Sequence, residues 1–198
     1  MSTNLDTKNI AAGKPAIVGS IYVGPTTQTL PTSATTTIGT GFVSLGYISE
    51  DGITNSNSPE TDSKKAWGGD TVLTYQTAKE DTFSFTMIEA LREAVLKTVY
   101  GSSNVETSTA GEIKVKANAA QAEEKAYIMD IIMGEKLKRI VVPKATVTEI
   151  GEVTYKDDEA VGYETTITAV PDSSGNTHYE YITEKQGTTE GQGTGENE

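Results

Sequence analysis

The chain has no cysteine and only one histidine among its 198 residues. Disulfides and thiolate chemistry are therefore excluded, and a zinc site would need carboxylates gathered around one imidazole. No apolar run approaches the roughly 20 residues of a membrane-spanning helix. The N-terminus lacks the basic-then-apolar plan of a secretory signal, so synthesis and assembly in the cytoplasm are expected. Positive charge is also scarce. Lys and Arg number 16 against 28 Asp and Glu, a net charge of −12. That is the wrong sign for a protein that grips phosphates. Hydrophobic residues reach only 35%, while Thr, Ser and Gly are abundant. Such a composition suits solvent-facing sheets and long loops, or a subunit whose edges are completed by its neighbours.

The constellations of catalysis are missing too. His178, beside Tyr179, reads as a surface turn residue and not as a general base. There is no Gly-x-Ser-x-Gly elbow and no phosphate-binding loop, and no helix follows Gly39-Thr-Gly41. Asp157, Asp158 and Glu159, or Asp172 with Asn176, are acidic enough for calcium, but too few oxygens converge and turn chemistry explains them. Asp130, inside the apolar run YIMDIIM, is the oddest carboxylate; it faces solvent or a lumen, or pairs with a neighbouring Lys. The expectation is a protein without enzyme activity, metal or cofactor.

What is present is clearest from Lys64 to Gly101. Val72–Thr77 reads as a strand, Ala78–Asp81 as a polar turn, and Thr82–Phe85 as the returning strand. Thr86 and Glu89 have the spacing of a capping box, which predicts a helix over 87–100. Ile88, Leu91, Val95 and Val99 would form its apolar stripe, with Glu93 and Lys97 as an i,i+4 pair and Gly101 as the stop.

The rest of the chain reads as short strands. Residues 1–13 carry no periodicity and are expected to be a flexible arm. Strands are expected at Lys14–Gly24 and Phe42–Ser49, separated by the Thr/Ser/Pro/Gly-rich loop 26–40. Residues 50–65 have no core-forming pattern and read as a long loop projecting from a hairpin. After Gly101, strands are expected at Glu112–Ala117, Glu124–Met133, Leu137–Val142, Ala145–Tyr155, Val161–Val170 and Thr177–Ile182. Residues 184–198 are acidic, low-complexity and unable to fold alone. One domain spanning 14–183 results, mainly β, an antiparallel sandwich or barrel with one flanking helix. Lys136, Lys138, Arg139 and Lys144 form a basic segment, and Glu149–Glu164 an acidic one. They are either ordinary surface or complementary faces for head-to-tail contact.

The order of these elements resembles the major tail tube proteins of bacteriophages with long, non-contractile tails. The likeness covers roughly residues 14–182. It is carried by KKAWGGDT (Lys64–Thr71), Glu80–Gly101, VPKATVTEIGEV and the ending TAVPDSSGNTHYEYI. The resemblance implies a structural virion protein whose copies form hexameric rings that stack into a tube, a conduit for DNA ejection. It further implies a tape measure protein and tail terminator or distal tail proteins as partners, with DNA passing unbound and no membrane. The family's long loop contacts the next ring. That places Glu50, Asp51, Asn55, Asn57, Glu60, Asp62, Lys64 and Lys65 between rings. Trp67, read from its own surroundings, is either a core or strand-edge aromatic before a bulge at Gly68-Gly69 or a subunit-interface anchor. Asp70, Glu80 and Asp81 are candidates for a lumen whose negative charge repels phosphate. The alternative class is a monomeric or trimeric β-sandwich binding module, an adhesin or a carbohydrate-binding decoration of the virion. That would favour exposed aromatics on one face, whereas the nine tyrosines are dispersed.

Overall fold

The computed structural model describes residues 10–16 and 20–185. Most of the expected N-terminal arm (1–9) and nearly all of the expected C-terminal tail (186–198) lie outside the described residues.

The described chain is mainly β and all its strand pairs are antiparallel. In order come β1 (Gly13–Pro15), β2 (Ile21–Pro25), β3 (Val43–Ser44), β4 (Ile48–Lys65) and β5 (Thr71–Met87). One helix, α1 (Glu93–Tyr100), and a short 3-10 turn (Ser102–Asn104) follow. Then come β6 (Val105–Thr107), β7 (Ile113–Val115), β8 (Lys125–Met133), β9 (Lys136–Ile150), β10 (Tyr163–Ala169) and β11 (Tyr179–Glu184). Nine strands share one sheet, with the path β3-β2-β8-β9-β10-β5-β4; β1 pairs with β8 and β11 with β9. The sheet does not close into a barrel and instead packs in a sandwich-like manner.

Period-2 alternation builds the core. Phe83, Phe85 and Met87 of β5, Tyr163 and Ile167 of β10, Ile140 and Val142 of β9, and Tyr127 and Met129 of β8 all turn to one side. Val95 and Leu96 of α1 close over that side. On the opposite face of β8, Ala126 and Ile128 meet Phe42, and Leu30 and Ile38 from the long loop cover them. Strand β8 is thus buried on both faces, which explains its almost unbroken apolar sequence. Tyr127 is 0% exposed, and its hydroxyl has no hydrogen-bond partner among the described residues. Burial pushes that phenol well above its ordinary value. Tyr127→Phe is therefore expected to raise stability by about 1 kcal/mol, read as a later urea midpoint.

Three expectations are corrected. The first concerns Leu137–Val142 and Ala145–Tyr155, which are not two strands. They lie largely on one 15-residue strand that runs through Pro143. Proline is tolerated because the partners of β9 change there: β11 pairs up to Val141 and β10 from Ala145, while the β8 register shifts between Tyr127↔Val142 and Lys125↔Ala145.

The second concerns the helix, which begins at Glu93 and not near residue 87. Thr86 lies in β5 opposite Glu164, and no side chain caps the helix at Arg92. Thr82–Met87 alternates on a buried sheet face, and that period-2 pattern prevails over the helical spacing. Leu91, counted in the expected stripe, is 88% exposed. The Glu93–Lys97 pair does form, at 2.6 Å, and Gly101 ends the helix with φ +92°.

The third concerns residues 50–65, which are strand and not loop, and Ala78–Asp81, which is not a turn. Strand β4 pairs with β5 along nearly its whole length, and the reversal lies at residues 66–70. Glu89 does not cap a helix. Its carboxylate accepts the Tyr47 amide (2.9 Å) and Arg92 Nε (2.5 Å), fastening β4's entry to the segment before α1. The Arg92 bond, then the Tyr47 amide, hold it below the usual carboxylate range. Gly46 has φ +80°, and an added Cβ would collide with the Glu89 carboxylate. Gly46→Ala should cost about 1–2 kcal/mol and displace Glu89, visible as lost protection of the Tyr47 amide in hydrogen exchange.

Candidate assembly surface

Beyond its root, the β4–β5 hairpin packs against no other element among the described residues. Every residue from 54 to 80 is exposed, on both faces of a two-stranded ribbon. Such a ribbon is marginal in water without a third strand or a packing surface. The sequence is legible on these terms. Neither face is buried, so neither alternates in polarity, and Pro59 is accommodated because β4 is an edge strand paired only with β5.

The arm carries most of the residues singled out from the sequence. Glu50 and Asp51 lie at its base. Asn55, Asn57, Glu60, Asp62, Lys64 and Lys65 follow along β4. Opposite them stand Phe83, Asp81, Ala78, Tyr75, Leu73 and Thr71 respectively. Tyr75 donates its hydroxyl to Asp62 (3.0 Å). At the tip, the Ala66 amide donates to the Asp70 carbonyl (2.8 Å) and Gly69 N–H to the Ala66 carbonyl (3.0 Å). Gly68 and Gly69 take φ +128° and +100°, a reversal that side-chain-bearing residues resist. This tight tip holds Trp67 fully in solvent, so a core role for the single tryptophan is excluded. Val72 and Leu73 beside it are also exposed.

Two of the three candidate lumen carboxylates, Asp70 and Glu80, are exposed on the arm. Asp81 is not. It is 1% exposed, and it anchors the arm's root. Its Oδ1 accepts Asn55 Nδ2 (2.9 Å), and its Oδ2 accepts the Thr177 hydroxyl and meets His178 Nδ1, each at 2.5 Å. Burial pushes its carboxyl up, but the bonds from Thr177, Asn55 and His178, together with the imidazole's charge, outweigh this and hold it below its ordinary value. His178 is accordingly not a surface turn residue; it packs edge-on against Phe83, with ring centroids 5.4 Å apart. A signal for Asp81 was present in the sequence: it stands in phase with Phe83, Phe85 and Met87 on the buried side.

The remaining charge expectations resolve into pairs. Asp130 forms a two-pronged ion pair with buried Arg139, Nε–Oδ1 2.6 Å and Nη2–Oδ2 2.8 Å. Arg139 Nη1 also donates to the carbonyls of Ser33 (3.1 Å) and Thr36, tying down the 26–40 loop. Lys138 pairs with Glu180 (2.7 Å) and Lys144 with Glu124 (2.9 Å). Most of the basic segment is thus neutralised within the chain, which favours its reading as ordinary surface over the docking-face alternative. Asp172 spends its oxygens on the Ser174 and Asn176 amides and the Tyr179 hydroxyl. Among the described residues no three metal-ligating side chains cluster, and no helix is long and apolar enough to cross a membrane.

At the end of β5 opposite the tip, two grooves meet. One, about 970 Å³, is mostly apolar and is lined by Leu91, Leu96, Ile113, Val115, Tyr155 and Val161, among others. The second, about 550 Å³, carries Glu50, Asp51, Glu152, Glu159 and Glu164. Ile88 lines both. An arm without a packing partner among the described residues and an open groove at the far end are features of a subunit built to be completed by other copies.

The family model for phage tail tube proteins matches residues 4–192. The chain belongs to that family. A search of curated proteins finds no match. This tail tube protein is a structural component of the virion that self-assembles with copies of itself. The family is a structural one, and the binding-module alternative gives way to it.

Proposed function

We propose that copies of this tail tube protein close into hexameric rings and that the rings stack into the conduit through which DNA enters the host. The arm carries this reading: a ribbon exposed on both faces over residues 54–80 gains its missing surface only from another subunit. The contact to the next ring runs through β4, from Glu50 and Asp51 to Lys64 and Lys65, with Trp67 at its end. The open edges of β3 and β4, at the two ends of the sheet path, are the liabilities that lateral neighbours remove. Assembly takes place in the host cytoplasm around a tape measure protein, bounded by terminator and distal tail proteins.

Asp70 and Glu80 remain the candidates for a lumen that repels phosphate. Glu80→Lys, well away from the arm's tip, should slow DNA ejection while leaving tube length unchanged. Unaltered ejection kinetics would remove Glu80 from the lumen wall. The assembly itself is tested by negative-stain electron microscopy of purified protein across a concentration series. Six-fold rings or hollow tubes are expected. Compact monomers at every concentration, with and without isolated tail-tip complexes as initiators, would overturn the reading.

A further inference from the structure

The arm's tip and the two grooves lie at opposite ends of β5, whose 17 residues at about 3.3 Å each separate them by up to about 55 Å. A patch at one end that fits a pocket at the other makes a heterologous contact, the kind that propagates along an axis. The chemistry of the two ends matches. Trp67 is wholly exposed on a turn held by two backbone hydrogen bonds, so little backbone freedom is lost when it docks. Lys64 and Lys65, just before it, make no ion pair among the described residues. The apolar groove offers Leu91 and Tyr155, 88% and 75% exposed, and the acidic groove beginning at Ile88 offers unpaired Glu152 and Glu164.

The geometry points to one occupant: the tip Lys64–Trp67 of a second copy of this chain. Trp67 fills the apolar groove between Leu91 and Tyr155, and Lys64 and Lys65 lie along the acidic groove. This docking rests on the stacked-ring reading and names the receiving surface within it. Its arrangement is that of an interface hot spot, an aromatic anchor in an apolar pocket with charges at the rim. The charged half would steer encounter and weaken with salt.

Because Trp67 is the only tryptophan and the chain has no cysteine, the full-length protein supplies its own probes. Trp67 emission should move to shorter wavelength on assembly and become several-fold less accessible to acrylamide. Leu91→Asp, at an exposed position, should raise the assembly concentration by more than about tenfold. Glu152→Lys with Glu164→Lys should do the same at low salt. An Ala66→Cys/Val161→Cys chain should form disulfide-linked ladders under oxidation only when assembled, whereas Ala66→Cys/Val43→Cys should not. Tubes in which Trp67 stays quenchable and no ladder forms would overturn this docking while leaving the stacked-ring reading intact. Failure of the unmodified chain to assemble under any condition would overturn both.

Discussion

Asp81→Ala is expected to destabilise the protein by about 3 kcal/mol and to free the arm from the body. The substitution removes the shared acceptor of Asn55, Thr177 and His178 at a site only 1% exposed, and three polar groups lose their partner together. The loss joins two places far apart in sequence, the root of β4–β5 and the segment entering β11. Hydrogen exchange should therefore show faster exchange at both, and urea unfolding an earlier midpoint. The effect depends on pH with a definite sign. The folded carboxyl is held below its ordinary value, so its contribution is complete above about 3.9 and is lost as pH falls below that. The difference between the unmodified protein and Asp81→Ala should be full at pH 7 and shrink towards pH 3. A difference that stays constant across that range would show that the carboxylate's charge is not what holds the root.

Asp130→Ala should cost about 3–5 kcal/mol, because it leaves the buried Arg139 guanidinium without its carboxylate. Its consequences reach beyond β8 and β9. Arg139 also holds the Ser33 and Thr36 carbonyls, so the 26–40 loop should loosen over Phe42 and Ile128. Adding Arg139→Met should recover much of the loss, since no unpaired charge then remains buried. Chemical unfolding of both single variants and the double variant measures the coupling. Additive losses would mean that the two charges act independently, contrary to the two-pronged geometry.

These two clusters also mark where sequence reading stops. The β class, the antiparallel order, the end of the helix at Gly101 and the strand Lys125–Met133 follow from local alternation and turn residues, and these the sequence displays openly. The arm's strands face water on both sides, which erases the polarity pattern that announces a strand, so residues 50–65 look like loop. The helix start was misread because Ile88 and Leu91 have helical spacing but precede the helix, whereas Phe83, Phe85 and Met87 alternate into the core. Residues 143 and 144 fall between the two expected strands, and only the change of partners on β9 shows why no break is needed there. Asp81 and His178 are 97 residues apart, so their bond is a property of sheet topology and not of any motif. Sequence leaves Trp67 open to a core or an interface role; its exposure removes the first, and the groove that would receive it is assembled from residues on the helix, β7 and the segment before β10. No spacing in the chain records that assembly.

Pro59 gives the arm a kinetic consequence. Midway along the free edge of β4, it offers no amide hydrogen to an incoming strand, and Lys64 and Lys65 further along repel a second copy of the same edge. A concentrated pool of unassembled subunits is thereby protected from zipping together arm to arm into fibres. Under the stacking proposed above, growth is left to the slower, shape-selective route, in which each added layer must find a receiving end already in place.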